Sequence, residues 1–230
     1  MRAFEVSAIP SDRLENSRRY AQSRWCLYAC IRSCYVPRMF AIVQQGRVVF
    51  APLTPVGLFF SIFPDAATAA RIAGIAQYCR REYGLSGRPQ ATSRFHISLQ
   101  CLGEHDEEPE PVVADARKAA ASVRMRPFAV MFDRIASFSG REGNYPLVLL
   151  GDDGVVGLTM LYQSLGTAMR NVGLEARLDF TPHMTLLYDD RRIGEQRIKP
   201  ICWTVRELVL VLSLIRRTKY VFLGRWPLRG

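Results

Sequence analysis

Two stretches decide how this chain is read: FHISLQCLGE, residues 95–104, and TPHMTLLYDD, residues 181–190. Each carries a histidine, a hydroxyl residue two positions later, and then a leucine: His96, Ser98 and Leu99, then His183, Thr185 and Leu186. The chain has only three histidines, so finding two of them in one pattern is informative. Both stretches read as strands. In a strand, residues i and i+2 point to the same face, roughly 7 Å apart. Each histidine therefore projects with its hydroxyl, while Ile97 and Met184 point the other way, into a core.

The flanks repeat as well. Before the first stretch comes GLFFSIF (57–63), a short apolar run that predicts a strand. Asp65 follows as an N-cap, then a helical pattern in AATAARIAGIAQYCRREY, with Gly84 at its end and Leu85 after it. Before the second stretch comes YPLVLLG (145–151), a strand, and Asp152-Asp153 opens the periodic GVVGLTMLYQSLGTAMRNV, ended by Gly173 and Leu174. The offsets barely vary: Asp65 to Asp153 is 88 residues, Gly84 to Gly173 is 89, and His96 to His183 is 87. This spacing implies two strand–helix–strand units related by a pseudo-two-fold axis. Between them lie an acidic loop (EHDEEPEP, 104–111), a helix near 112–124 and a strand at 127–135. At the end, WTVRELVLVLSLI (203–215) and YVFLGRWPL (220–228) read as a closing strand pair turned by RRTK (216–219). The expected fold is α+β and bilobal, with duplicated units whose antiparallel sheets line a central cleft and whose helices lie outside.

A two-fold relation aims two imidazoles and two hydroxyls at one small volume, an arrangement that suits a phosphodiester. A neutral imidazole takes a proton from the attacking oxygen and a protonated one donates to the leaving oxygen. Hydroxyls donate to the non-bridging oxygens, where charge grows in the transition state. His96 and His183 are thus the candidate acid–base pair, and Ser98 and Thr185 the candidate phosphate clamps. A metal centre is weakly supported, because the motifs offer hydroxyls where carboxylates are needed, and no cofactor is expected. A serine hydrolase lacks its GxSxG elbow. His105, in the acidic loop, reads as a solvated surface residue.

Composition sets the wider limits. The net charge of +10 suggests a polyanionic partner, nucleic acid above all. Half of it sits in residues 1–53, where eight arginines face three acids. That arginine-rich head shows no sustained period, so residues 1–54 read as a basic, poorly ordered extension or as an arm gripping nucleic acid, and residues 55–230 as the domain. Six cysteines form no CxxC pair and read mostly as reduced thiols. Cys26, Cys30 and Cys34 would share a helix face, a weak zinc signal without a fourth ligand. No segment reaches the ~18 apolar residues of a membrane span. The expectation is a monomeric, cytoplasmic protein.

The paired motifs, with the opening LFFSIFPDAATAARI and the closing ELVLVLSLIRRTKYVFLGRWPL, resemble the 2H phosphoesterases, specifically the 2'-5' RNA ligase (RNA 2',3'-cyclic phosphodiesterase) family. The resemblance covers residues 56–228. It implies metal-independent opening of 2',3'-cyclic phosphate ends to 2'-phosphates, and reversible, ATP-independent 2'-5' joining of RNA ends. The partners it implies are RNA ends or nucleotide 2',3'-cyclic phosphates. Arg141, Arg216, Arg217 and Lys219 are further candidate phosphate contacts, although the Arg-Pro-Arg run of many members is missing before the second strand. Two alternatives stay open: a non-catalytic nucleotide- or RNA-binding module on the same scaffold, and a small-molecule cyclic phosphodiesterase.

Overall fold

The computed structural model describes residues 55–215, 217 and 219–230, with the backbone of two strands before them. Those two, β1 (Met39–Gln44) and β2 (Arg47–Pro52), pair as an antiparallel hairpin inside the head that the sequence left without regular structure. The rest of the expected extension, including Cys26, Cys30 and Cys34, lies outside the described residues, as does Arg216.

Two four-stranded antiparallel sheets carry the domain. The first runs β10-β9-β3-β4 and the second β7-β6-β5-β8. In chain order the elements are β3 (Val56–Ile62), α1 (Ala66–Glu82), β4 (Ile97–His105), α2 (Glu110–Ser122), β5 (Phe128–Ser137), β6 (Tyr145–Leu150), α3 (Val156–Asn171), β7 (Met184–Asp189), β8 (Gln196–Val205), β9 (Glu207–Leu214) and β10 (Lys219–Pro227). The expected duplication is visible: β3–α1–β4 in one sheet matches β6–α3–β7 in the other. In each, the strand behind the histidine is an edge strand.

Local chemistry explains the helices. Asp65 has extended backbone and accepts from the Thr68 amide at 2.8 Å, which satisfies an orphan donor of the first turn of α1. Ala69, Ile72, Ala76 and Cys79 then bury one stripe. Gly84, at φ +60°, lets the chain leave the helix, and the Leu85 amide returns to the Arg80 carbonyl at 2.9 Å. Gly173 (φ +84°) and Leu174 end α3 the same way, with Leu174 bonded to the Met169 carbonyl at 3.0 Å. The N-termini differ. Residues 153–155 form a 3-10 turn before α3, and Asp152 makes no cap; it pairs with Arg134 on β5.

The closing strands also depart from the sequence reading. The run 203–215 is not one strand: it breaks at Arg206, with β8 pairing β5 in the second sheet and β9 pairing β3 in the first. Burial shows why. Up to Val205 alternate residues are buried, as in a one-faced edge strand, whereas Leu208 to Leu212 are all buried inside the other sheet. The first half of β8, QRIKP, is too polar to announce a strand, and an edge tolerates its proline. One hydrophobic cluster, with Ile72, Phe95, Phe132, Leu161 and Met184 among its members, joins both halves.

Candidate active site

His96 and His183 each stand one residue before a strand, with Ser98 in β4 and Thr185 in β7. Their anchoring is the same. His96 Nδ1 lies 2.7 Å from the carbonyl oxygen of Arg94, and His183 Nδ1 lies 2.7 Å from that of Thr181. A carbonyl can only accept, so in both neutral rings Nδ1 holds the hydrogen and Nε2 offers a lone pair. Nε2 is therefore the nitrogen free for proton transfer in each ring. In the first half it accepts from Ser98 Oγ at 3.1 Å. In the second, Thr185 Oγ1 is buried without a partner among the described residues.

The loops leading to the two histidines are fastened across the molecule. Gln90 donates its amide to the Leu186 carbonyl at 2.7 Å, and Pro89 bridges Leu187, so the loop before His96 lies along β7. The Asp189 carboxylate at the end of β7 accepts from the Gly87 amide at 2.6 Å and from Ser86 at 3.3 Å. Burial pushes the Asp189 carboxyl up, but the backbone donors of Arg191 and Gly87 outweigh it and hold it below the usual range. Position 87 must be glycine, because a Cβ there would meet the Tyr188 carbonyl oxygen at 1.9 Å. In return, Gln100 of β4 accepts from the Arg177 amide at 3.0 Å and donates to the Arg177 carbonyl at 3.1 Å, holding the loop before His183. Each half thus positions the histidine of the other.

Burial favours the neutral form of both rings. It pushes His96 down to about 4, helped by the charges of Arg94 and His183 and opposed by the Arg94 carbonyl. His183 is lowered by burial against the pull of the Thr181 carbonyl. That a charge on His183 acts on His96 places the rings within electrostatic reach of each other. An anion seated between them would reverse this balance by favouring their protonated forms.

Several residues here escape the motif reading. Phe59, Phe63 and Tyr220 surround His96 with ring centroids at 5.5, 5.9 and 5.5 Å, and Arg94 lies over Tyr220 at 4.4 Å. Phe138 stands 5.0 Å from His183. Period two along β3, continued one residue past its end, puts Phe59, Ser61 and Phe63 on one face, a signal that could have identified the wall. His105, by contrast, is not a solvated loop residue: it is half-buried at the end of β4, within hydrogen-bonding distance of the Leu102 carbonyl. Arg141, Arg217 and Lys219 are exposed. The expectation of reduced thiols holds for Cys79 and Cys202, both free, and not for Cys101. Among the described residues no three His, Cys, Asp or Glu side chains cluster as a metal site, and no helix is long and apolar enough to cross a membrane.

Residues 63–214 match the family model of the 2'-5' RNA ligase superfamily. The chain belongs to that superfamily. Among solved structures it is similar to Escherichia coli LigT in its apo form, at 26% identity over 77% of this chain and 99% of LigT, with a TM-score of 0.58. LigT complexed with 3'-AMP is 28% identical, over 76% of this chain and 99% of that one, at a TM-score of 0.57. TT0787 of Thermus thermophilus shares the fold at 20% identity, covering 76% of this chain and 98% of its own, at a TM-score of 0.57. No curated protein matches the sequence. The superfamily is one of 2H phosphoesterases and ligases, so the chain is of an enzyme family, with the bilobal α+β fold that the repeats imply.

Proposed function

We propose that this superfamily member is a metal-independent RNA 2',3'-cyclic phosphodiesterase that produces 2'-phosphate ends and can join RNA ends through 2'-5' linkages. The observation that carries the reading is the pair of imidazoles, each fixed through Nδ1 to a carbonyl two residues before it, with a hydroxyl residue two positions on. LigT has been crystallised with 3'-AMP and with phosphate, which supports a nucleotide phosphate as the ligand of this cleft.

The chemistry follows from the side chains. A water oxygen attacks phosphorus while the bond to the ribose 3' oxygen breaks. One Nε2 takes the water's proton and the other, protonated, delivers a proton to the departing 3' oxygen. Repeat symmetry leaves the two roles open between His96 and His183, and the orientation of the bound substrate decides between them. Ser98 and Thr185 donate to the non-bridging oxygens as their charge grows. With the 5'-hydroxyl of another strand in place of water, the same transfers form a 2'-5' phosphodiester and release the 3'-hydroxyl. No ATP enters, because one ester bond replaces another.

The test is a short RNA ending in a 2',3'-cyclic phosphate, incubated with the protein after exhaustive dialysis against a chelator. The expected product is the 2'-phosphate, at a rate the chelator leaves unchanged. Binding without turnover would favour the non-catalytic module, and activity restored only by zinc or manganese would defeat the proposed mechanism.

A further inference from the structure

A second basic, aromatic hollow lies away from the histidines. Arg71, Gly74, Ile75 and Tyr78 of α1, with Tyr83 just beyond it, face residues 197–201 of β8 across a cavity of about 610 Å³. β8 is three strands from β7, about 14 Å across the sheet at ~4.8 Å per strand, so this hollow is separate from the cleft. Its lining includes three cations, Arg71, Arg197 and Lys199, and no acid. None of the three makes an ion pair or side-chain hydrogen bond among the described residues. Tyr78 is 52% exposed, a large ring left open to solvent.

Charges on an edge strand also deter sheet-to-sheet pairing, and that would account for Arg197 and Lys199. It does not account for Arg71 on the facing helix, or for two tyrosines in the same concavity. Unpaired cations beside an open aromatic ring match what a single-stranded nucleic acid requires: phosphates neutralised by basic side chains and a base stacked on a ring without sequence preference. The volume falls within the range of pockets that enclose small ligands, enough for one nucleotide unit.

We propose that the hollow between α1 and β8 is a second RNA subsite, holding the phosphate and base of a nucleotide distant from the end presented to the histidines. The proposal rests on the reading of the chain as an enzyme of RNA ends. The test measures binding, so it does not depend on turnover. A labelled single-stranded oligoribonucleotide with a 3'-phosphate is titrated with the wild type and with the triple variant Arg71→Ala, Arg197→Ala, Lys199→Ala, checked for folding by circular dichroism. 3'-AMP, titrated in parallel, reads the cleft alone. The triple variant should bind the oligonucleotide at least tenfold more weakly and 3'-AMP unchanged. Its plot of log affinity against log salt should be shallower by about 2, the value for three lost phosphate contacts on a single strand. Tyr78→Ala should weaken the oligonucleotide severalfold with no change in that slope. A control with equal charge removed elsewhere, Lys118→Ala, Arg124→Ala, Arg170→Ala, should stay within about twofold of wild type. Wild-type oligonucleotide affinity in the first variant, or an equal loss in the control, overturns the subsite. A chain that binds RNA through this hollow but turns over no cyclic phosphate would sink the catalytic reading and leave the subsite standing.

Discussion

His96 and His183 occupy equivalent points of two copies of one unit and are anchored identically, yet their surroundings differ. His96 sits among three aromatic rings, with Ser98 already bonded to its Nε2 and Arg94 close by. His183 has the Phe138 ring beside it, and the Thr185 hydroxyl is committed to nothing among the described residues. The duplicated backbone supplies what is symmetric, two imidazoles anchored through Nδ1 to the carbonyl two residues before them. The side chains around it supply what must be asymmetric. Acid and base cannot be the same group, and repeat symmetry alone leaves their assignment open. The aromatic rings and the Arg94 charge beside the first histidine are where the two surroundings differ.

The most severe way to break this comparison is to remove each histidine in turn. His96→Ala and His183→Ala should each lower turnover of a cyclic phosphate by about 10² to 10⁴. The double variant should lose little more than the worse single, since acid and base act on one transition state. Steady-state rates on a 2',3'-cyclic mononucleotide read this directly. A folded single variant with near-normal turnover would end the paired-histidine mechanism.

The hydroxyls sharpen the contrast. Ser98→Ala and Thr185→Ala should cost roughly tens to a thousandfold in rate. Their side effects should differ. Ser98 touches His96, so its loss should also move the pH profile, whereas loss of Thr185 should lower the rate and leave the profile in place. Matching pH profiles in the two variants would mean that the Ser98–His96 contact has no part in setting the proton balance.

Acid sensitivity tests the burial of the two rings. Both have folded values below the ordinary imidazole value of about 6.5, and His96 lies near 4. The folded state thus binds fewer protons than the unfolded chain, whose histidines titrate normally. Stability from this source is complete above about 6.5 and is lost as the pH falls toward 4. Urea midpoints between pH 7 and 4 should decline, and His96→Gln and His183→Gln should each flatten that decline. The acidic limb of kcat/KM, which reports the free enzyme, should likewise lie below 6.5. A decline that both variants leave unchanged would mean that burial of the two rings does not set the acid sensitivity.

The repeat was legible because it is written in local chemistry. Asp65, Gly84 and Gly173 act through their own backbone neighbourhoods, and period two in a strand sets His96 beside Ser98 whatever surrounds them. What stayed hidden depends on contacts distant in sequence. The split of residues 203–215 at Arg206 reflects a change of sheet, which no local pattern records. The fastening of Gly87 to Asp189 and of Gln100 to Arg177 joins residues 102 and 77 positions apart, and the residues themselves look like ordinary loop and strand polars. Asp152 misled for the same reason. Its position before a helix predicts a cap, but the guanidinium of Arg134, brought in by β5, takes it.

That last difference gives the mildest prediction and a clean comparison of the two helix entries. Asp65→Ala removes a side chain that accepts from both the amide and the hydroxyl of Thr68, leaving the first turn of α1 with an orphan donor. Such a loss costs about 1 kcal/mol. Asp152→Ala removes an acid that is 67% exposed and caps nothing, and Arg134 retains Glu195 at 2.8 Å. Solvent screens a pair this open, so the expected cost is a few tenths of a kcal/mol. Urea unfolding of the two variants at neutral pH should therefore show a distinctly lower midpoint for Asp65→Ala, with unchanged m-values. Equal midpoints would mean that Arg134, only 10% exposed, needs both acids to offset its desolvation. The second half would then be held at its helix entry by a buried charge network as strongly as the first is held by its cap.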